Sequence, residues 1–170
     1  MAHDKIILEF SLNKHPFSKF IPMLGHGEYS HVSVVWNKDT LFSARFKHGV
    51  GIHKLNTNNY INQEYWGIKA DSRMVKKWLL SQGGKGYDNH GVLRFVRMLF
   101  FLKPSDSRFF CSELAFIASF VVNPYFSSNF SRINPSTIDV LTLRQMLCFE
   151  AEMENPNVEY LGTELTREML

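Results

Sequence analysis

Cys111 is the residue of this chain best placed by type and setting to do chemistry. It stands in Phe109-Phe110-Cys111-Ser112-Glu113-Leu114, where an apolar helix is expected to begin. The positive end of a helix dipole favours a thiolate, and a free-cysteine pKa near ~8.5 can fall to about 3.5–7.5 there. Thiolate is the nucleophilic form. The plainer reading of a cysteine among phenylalanines is a buried, inert side chain. The second cysteine, Cys148, follows Leu141–Leu147, has no comparable setting and reads as core.

A nucleophilic cysteine needs a base, usually histidine. The chain offers seven: His3, His15, His26, His31, His48, His53 and His90. His31 is distinctive because it lies at the start of Ser30–Trp36 (SHVSVVW), a β-rich alternating run in which it shares a face with Ser33. At the rim of a sheet it could offer one ring nitrogen to a thiol on a facing helix; the alternative is an exposed strand-end histidine. His48 and His53 invite comparison with metal ligands, but no HExxH or Cys-x-x-Cys spacing accompanies them, so no metal is expected. Glu113, in the first turn of the Cys111 helix, complements the dipole and reads as structural. In the turn-rich Gly83–Gly91 stretch, Asp88 or Asn89 could cap the next helix.

The elements that must position these residues come in a definite order. Strands are expected over Lys5–Ser11, Ser30–Trp36, Leu41–Arg45, Gly49–Leu55 and Tyr65–Ala70, with a turn at Lys47-His48-Gly49. A short helix is expected over Pro16–Leu24. Further helices follow. One is capped by Asp71 or Ser72, with Met74, Val75, Trp78 and Leu79 on its apolar face, and stops at Gly83-Gly84. The others carry Val92, Phe95, Val96 and Leu99, span Ser112–Val122 with Pro124 beyond, and run from a Ser136 cap through Leu147. Strands first and helices after is the α+β pattern: an antiparallel sheet packed against helices.

Four stretches, in order, resemble the circularly permuted NlpC-like branch of the papain-fold cysteine hydrolases. Tyr29–Val35 is similar to the family's histidine strand. Leu41-Phe42-Ser43-Ala44 with Gly49-Val50 resembles its next hairpin. Gly86-Tyr87-Asp88 resembles the Gly-x-Tyr-Asp element, and Phe110–Leu114 the Cys-Ser-Glu helix start. The match runs over roughly residues 5 to 145, with histidine upstream of cysteine, where the unpermuted family has cysteine first. The resemblance implies a permuted papain-like fold with Cys111 as nucleophile and His31 as general base. The matching position for a third, imidazole-orienting residue is Ser43. Relatives often carry a stronger acceptor there, and a hydroxyl supports an imidazolium less than a carboxylate does. Asp88 and Glu28 are alternatives for that role. Tyr87 and Asp88 would border the substrate cleft.

Composition bounds the rest. The 170 residues suit one domain, and 45% hydrophobic with 21% charged residues excludes a disordered chain. The 15 phenylalanines read mostly as core, with an apolar groove for an acyl chain as the alternative. The net charge of +3 is uneven: residues 149–170 hold six of the 16 acidic groups and only Arg167 among the bases. This sets a domain over 1–148 apart from an acidic tail over 149–170. No Lys/Arg run of five or more argues for a specific nucleic-acid partner. No apolar stretch reaches the ~20 residues of a membrane span. The N-terminus has no signal-peptide pattern, so a reduced, cytoplasmic setting is expected. The compact form resembles members encoded by phages and bacteria.

The function these readings support is a cysteine hydrolase of amidase or peptidase type, acting on a peptide, amide or acyl-ester substrate through a thioacyl intermediate, with no cofactor. A lipid acyl hydrolase or acyltransferase is the alternative within that class. A papain-like binding module with weak or no turnover is the alternative outside it.

Overall fold

The structure is a computed structural model that describes residues 5–14, 28–88, 108–126, 130 and 132–166. The expected helices over Pro16–Leu24 and around Val92–Leu99 lie outside the described residues.

Six strands form one antiparallel sheet in the order β4-β3-β2-β1-β5-β8. They are β1 (Lys5–Asn13), β2 (His31–Asn37), β3 (Thr40–Arg45), β4 (Gly49–Lys54), β5 (Tyr60–Lys69) and β8 (Val158–Gly162). A short parallel pair, β6 (Gly86–Tyr87) and β7 (Arg108–Phe109), forms a second sheet that packs against β3 and β4. The described residues hold three α-helices in an α+β arrangement with the sheet: α1 (Ser72–Gln82), α2 (Cys111–Phe116) and α3 (Val140–Glu152). None is long and apolar enough to cross a membrane.

Side chains alternate across a strand, and here both faces of the central strands are covered. Ile6, Leu8 and Phe10 of β1, Val32 and Val34 of β2, and Phe42 and Ala44 of β3 pack with Leu114, Phe116 and Phe120 into the main core. The other face holds a smaller cluster of Ile7, Val35, Leu41 and Tyr65, against which Leu55, Leu161 and Leu165 pack. The same alternation sends Glu9 and Ser11 of β1 to that second face. Both are fully buried.

Several elements differ from their sequence expectation for local reasons. Asp71 does cap α1, accepting from the N–H groups of Arg73 and Met74 at 3.1 and 3.0 Å. For α3 the cap is Asp139, not Ser136. Its carboxylate accepts from the Thr142 N–H at 2.6 Å, while Ser136 lies in a preceding 3-10 turn. The expected single helix over Ser112–Val122 is α-helical only to Phe116 and then widens to a π turn over Ile117–Val121. The acidic C-terminal stretch does not separate at residue 148. Helix α3 runs on to Glu152, and β8 pairs antiparallel with β5, setting Tyr160 beside Trp66 and Val158 beside Ile68.

Candidate functional site

The thiol of Cys111 lies at the start of α2, buried among core residues. Ser112 anchors that turn, its hydroxyl donating to the Ile138 carbonyl at 2.7 Å. Backbone N–H groups of Val32, Ser112 and Cys111 itself favour the thiolate. Helix α2 packs against β2, and Cys111 shares the main core with Val32, the residue after His31. Tyr87 is close enough for its phenol to feel a charge on Cys111 and on Asp88, and it is pushed well above its ordinary range, chiefly by burial. Its ring meets Phe46 edge-on at 6.2 Å. Asp88 is buried, and its N–H donates to the Phe109 carbonyl at 2.9 Å, tying the Gly86–Asp88 stretch to the residues just before Cys111.

His31 occupies the first position of β2 and is half-buried. By alternation it keeps company with Ser33 on the second face of the sheet, while the neighbouring Val32 side chain enters the main core with Cys111. The His31 Nε2 is shut off from solvent and has no hydrogen-bond partner. Burial, with smaller contributions from the charges of Arg45 and His53, lowers the imidazole to about 3. Burial likewise pushes the Cys111 thiol up to about 11, against the pull of the three N–H groups. The expected depression of the thiol does not materialise. An α segment of six residues carries a limited dipole, and desolvation of a buried sulfur outweighs it. The resting pair is therefore a neutral thiol and a neutral imidazole.

Ser43 lies on the same face as His31, since it alternates with Phe42 and so shares the face of Leu41, which pairs with Val35. Its hydroxyl accepts from Arg45 Nε at 3.3 Å, and its carbonyl accepts from His53 Nε2 at 3.2 Å. It makes no hydrogen bond with His31 Nε2. Glu28 is exposed and pairs with Arg144 at 3.6 Å, on the helix side of the sheet. The His48 and His53 rings stand 6.2 Å apart. Among the described residues no three His, Cys, Asp or Glu side chains are grouped to hold a metal ion. Cys148 is half-buried on α3 against the main core.

Sequence reasoning missed the polar floor beside His31. Glu9 and Ser11 of β1, Ser33 of β2 and Tyr65 of β5 all bury polar side-chain atoms without hydrogen-bond partners of good geometry. Burial raises the Glu9 carboxyl to about 7, with Ser11, Arg45, Tyr60 and Ser33 pulling it back down. The signal was present: a carboxylate inside Lys5–Phe10 (KIILEF), with apolar residues on both sides, belongs on no solvated strand.

Compared with known proteins, the chain matches no protein-family model, and no curated protein matches it.

Proposed function

We propose that this protein is a cysteine hydrolase of permuted papain-like fold, in which Cys111 is the nucleophile and His31 its general base. The observation that carries the reading is the packing of α2 against β2, with Cys111 at the start of the helix in the same core as Val32, the residue that follows His31. In this reading His31 takes the proton from Sγ, and the thiolate attacks the carbonyl carbon of an amide or acyl ester. The N–H groups of Cys111 and Ser112 stabilise the oxyanion. The imidazolium then protonates the departing amine or alcohol, and water attacks the thioacyl enzyme to release the acid. Because thiol and imidazole rest neutral, the proton passes from Sγ to His31 as the sulfur attacks its electrophile, so His31 acts as a general base. Tyr87 and Asp88 border the pocket that receives the substrate.

The test is alkylation of Cys111 by iodoacetamide from pH 6 to 10, read by mass spectrometry with Cys148 as internal reference. Dependence on His31 is the expected result, with His31→Ala slowing Cys111 by roughly tenfold or more while leaving Cys148 unchanged. Labelling indifferent to His31 would overturn the reading. It would favour a papain-like binding module without turnover, the reading to which the burial of the thiol lends most weight. Given His31 dependence, turnover of amides, lipid esters and thioesters by wild type against Cys111→Ala separates the amidase from the lipid acyl hydrolase.

A further inference from the structure

The group that orients the base is the open question at this site, because the Ser43 hydroxyl accepts from Arg45 and makes no hydrogen bond with His31 Nε2. Strand β1 lies directly beside β2. In their register Ser11 stands opposite His31, and Glu9 stands opposite Ser33. Period-two alternation puts Ser11, Glu9, His31 and Ser33 on one face. Directly opposed residues of an antiparallel pair have Cβ atoms about 4.5–5.5 Å apart, and a long side chain reaches the diagonal neighbour. His31 Nε2 is buried with no hydrogen-bond partner, while the buried Glu9 carboxyl has the Ser11 hydroxyl beside it as its foremost hydrogen-bonding neighbour, with Tyr60 and Ser33 adding to it. A buried polar atom left unpaired is costly, and these three groups complement one another.

We propose that Ser11 and Glu9 are the positioning residues for His31: Nε2–H donates to the Ser11 hydroxyl, which donates to the Glu9 carboxylate. This fixes the tautomer in which Nδ1 is left free to accept the thiol proton, and it places a carboxylate where the developing imidazolium can be stabilised. The inference rests on the Cys111–His31 reading. It moves the orienting group from β3, where the family resemblance would look for it, to β1. Ser33 from β2, Arg45 from β3 and Tyr60 from β5 act on Glu9, and Tyr65 of β5 and the Cys111 thiol of α2 feel its charge from further off. His53 of β4 bears on His31. The carboxyl loses its proton near neutrality. The assistance to His31 is therefore gained as pH rises through about 7.

Two measurements test this. Nitrogen-15 NMR of the wild-type imidazole should show His31 as the Nε2–H tautomer; the Nδ1–H tautomer would overturn the proposal without any substitution. In the iodoacetamide assay, Glu9→Gln and Ser11→Ala should each slow Cys111 roughly tenfold at pH 8, with the double variant little slower than either. Glu9→Gln should also erase a step in the pH profile near pH 7. Ser43→Ala should change the rate less than about twofold. If His31→Ala slows labelling but Glu9→Gln and Ser11→Ala do not, the orienting role is wrong and the Cys–His reading stands. If His31→Ala has no effect, both fall together. Glu9→Gln keeps the side chain's shape, Ser11→Ala removes one atom, and circular dichroism checks the fold of each.

Discussion

At the scale of single residues, the site is governed by desolvation. Cys111, His31 and Glu9 all shift in the direction that avoids charge: the thiol to about 11, the imidazole to about 3 and the carboxyl to about 7. These shifts make stability depend on pH. Glu9 carries a folded-state pKa raised from 4.5 to about 7. Between those values the folded state holds a proton that the unfolded state has released, so stability falls as pH rises from 4.5 to 7 and is level beyond. The loss from this group is on the order of 3 kcal/mol. His31 has the opposite sign. With its pKa lowered from 6.5 to about 3, stability falls as pH drops through that range. In wild type the two slopes offset each other between about pH 4.5 and 6.5. Glu9→Gln should remove one of them, so urea titrations should show that variant markedly less stable at pH 5 than at pH 7, while wild type changes little. A variant with the wild-type profile would show that Glu9 is not the buried acid described. Chemistry-bearing types were legible in the sequence at this scale, since cysteine and histidine announce themselves. Their ionisation was not, because burial is set by neighbours from five different elements.

At the scale of elements, the strands and helix starts that present the site were readable because their signals are local. His31 and Ser33 alternate with Val32 and Val34, and Asp71 stands one residue before α1. The break from α to π helix inside an unbroken apolar run was not readable, because the pattern of apolar residues is nearly the same in both. Gly49 is an element-level constraint that the Lys47–Gly49 turn hinted at. It has φ of +70°, and a Cβ there would come 2.5 Å from the Lys85 carbonyl oxygen. That close approach lets the adjoining Val50 N–H donate to the same carbonyl at 2.8 Å, and the Gly84 N–H donate to the Val50 carbonyl at 2.9 Å. These bonds hold the segment leading to Tyr87 and Asp88 against β4. Gly49→Ala should therefore cost roughly 1–3 kcal/mol in thermal or urea unfolding. It should also disturb the Tyr87 environment, read by fluorescence or NMR. A neutral result would show that the 84–88 segment is held by other contacts.

At the scale of the whole molecule, one polar network ties the sheet to α3. Glu64 of β5 is buried and accepts from Tyr29 Oη at 3.0 Å, Trp66 Nε1 at 2.9 Å and Arg144 Nε and Nη2 at 2.6 and 3.1 Å. The guanidinium also lies 5.3 Å from the centre of the Tyr29 ring. Removing the cation strands a carboxylate whose side chain is only 3% exposed. Arg144→Met should thus cost roughly 3 kcal/mol, measured by urea unfolding at pH 7. Most of that loss should be recovered by adding Glu64→Gln. Equal losses in the single and double variants would show that Arg144 acts through packing alone. The separation of 80 positions between these partners is the reason neither was singled out from the sequence. The same holds for β8. It lies within the acidic 149–170 stretch, which reads as a tail, yet Tyr160 lies against Trp66 with ring centres 5.1 Å apart and Leu161 packs on the second face of the sheet.

The sequence by itself determined the class of fold and the chemical types at the candidate site, because alternation, capping and residue identity act over a few neighbouring positions. Only the tertiary structure decided what those residues meet. It packed Cys111 into one core with Val32, the residue after His31, set the Ser43 hydroxyl to accept from Arg45, and put Glu9 and Ser11 in the buried row beside the His31 strand. The physical reason is that strand register and desolvation are properties of the assembled sheet. A residue's cross-strand neighbour, and the water it loses, are fixed only when segments far apart in the chain pack together.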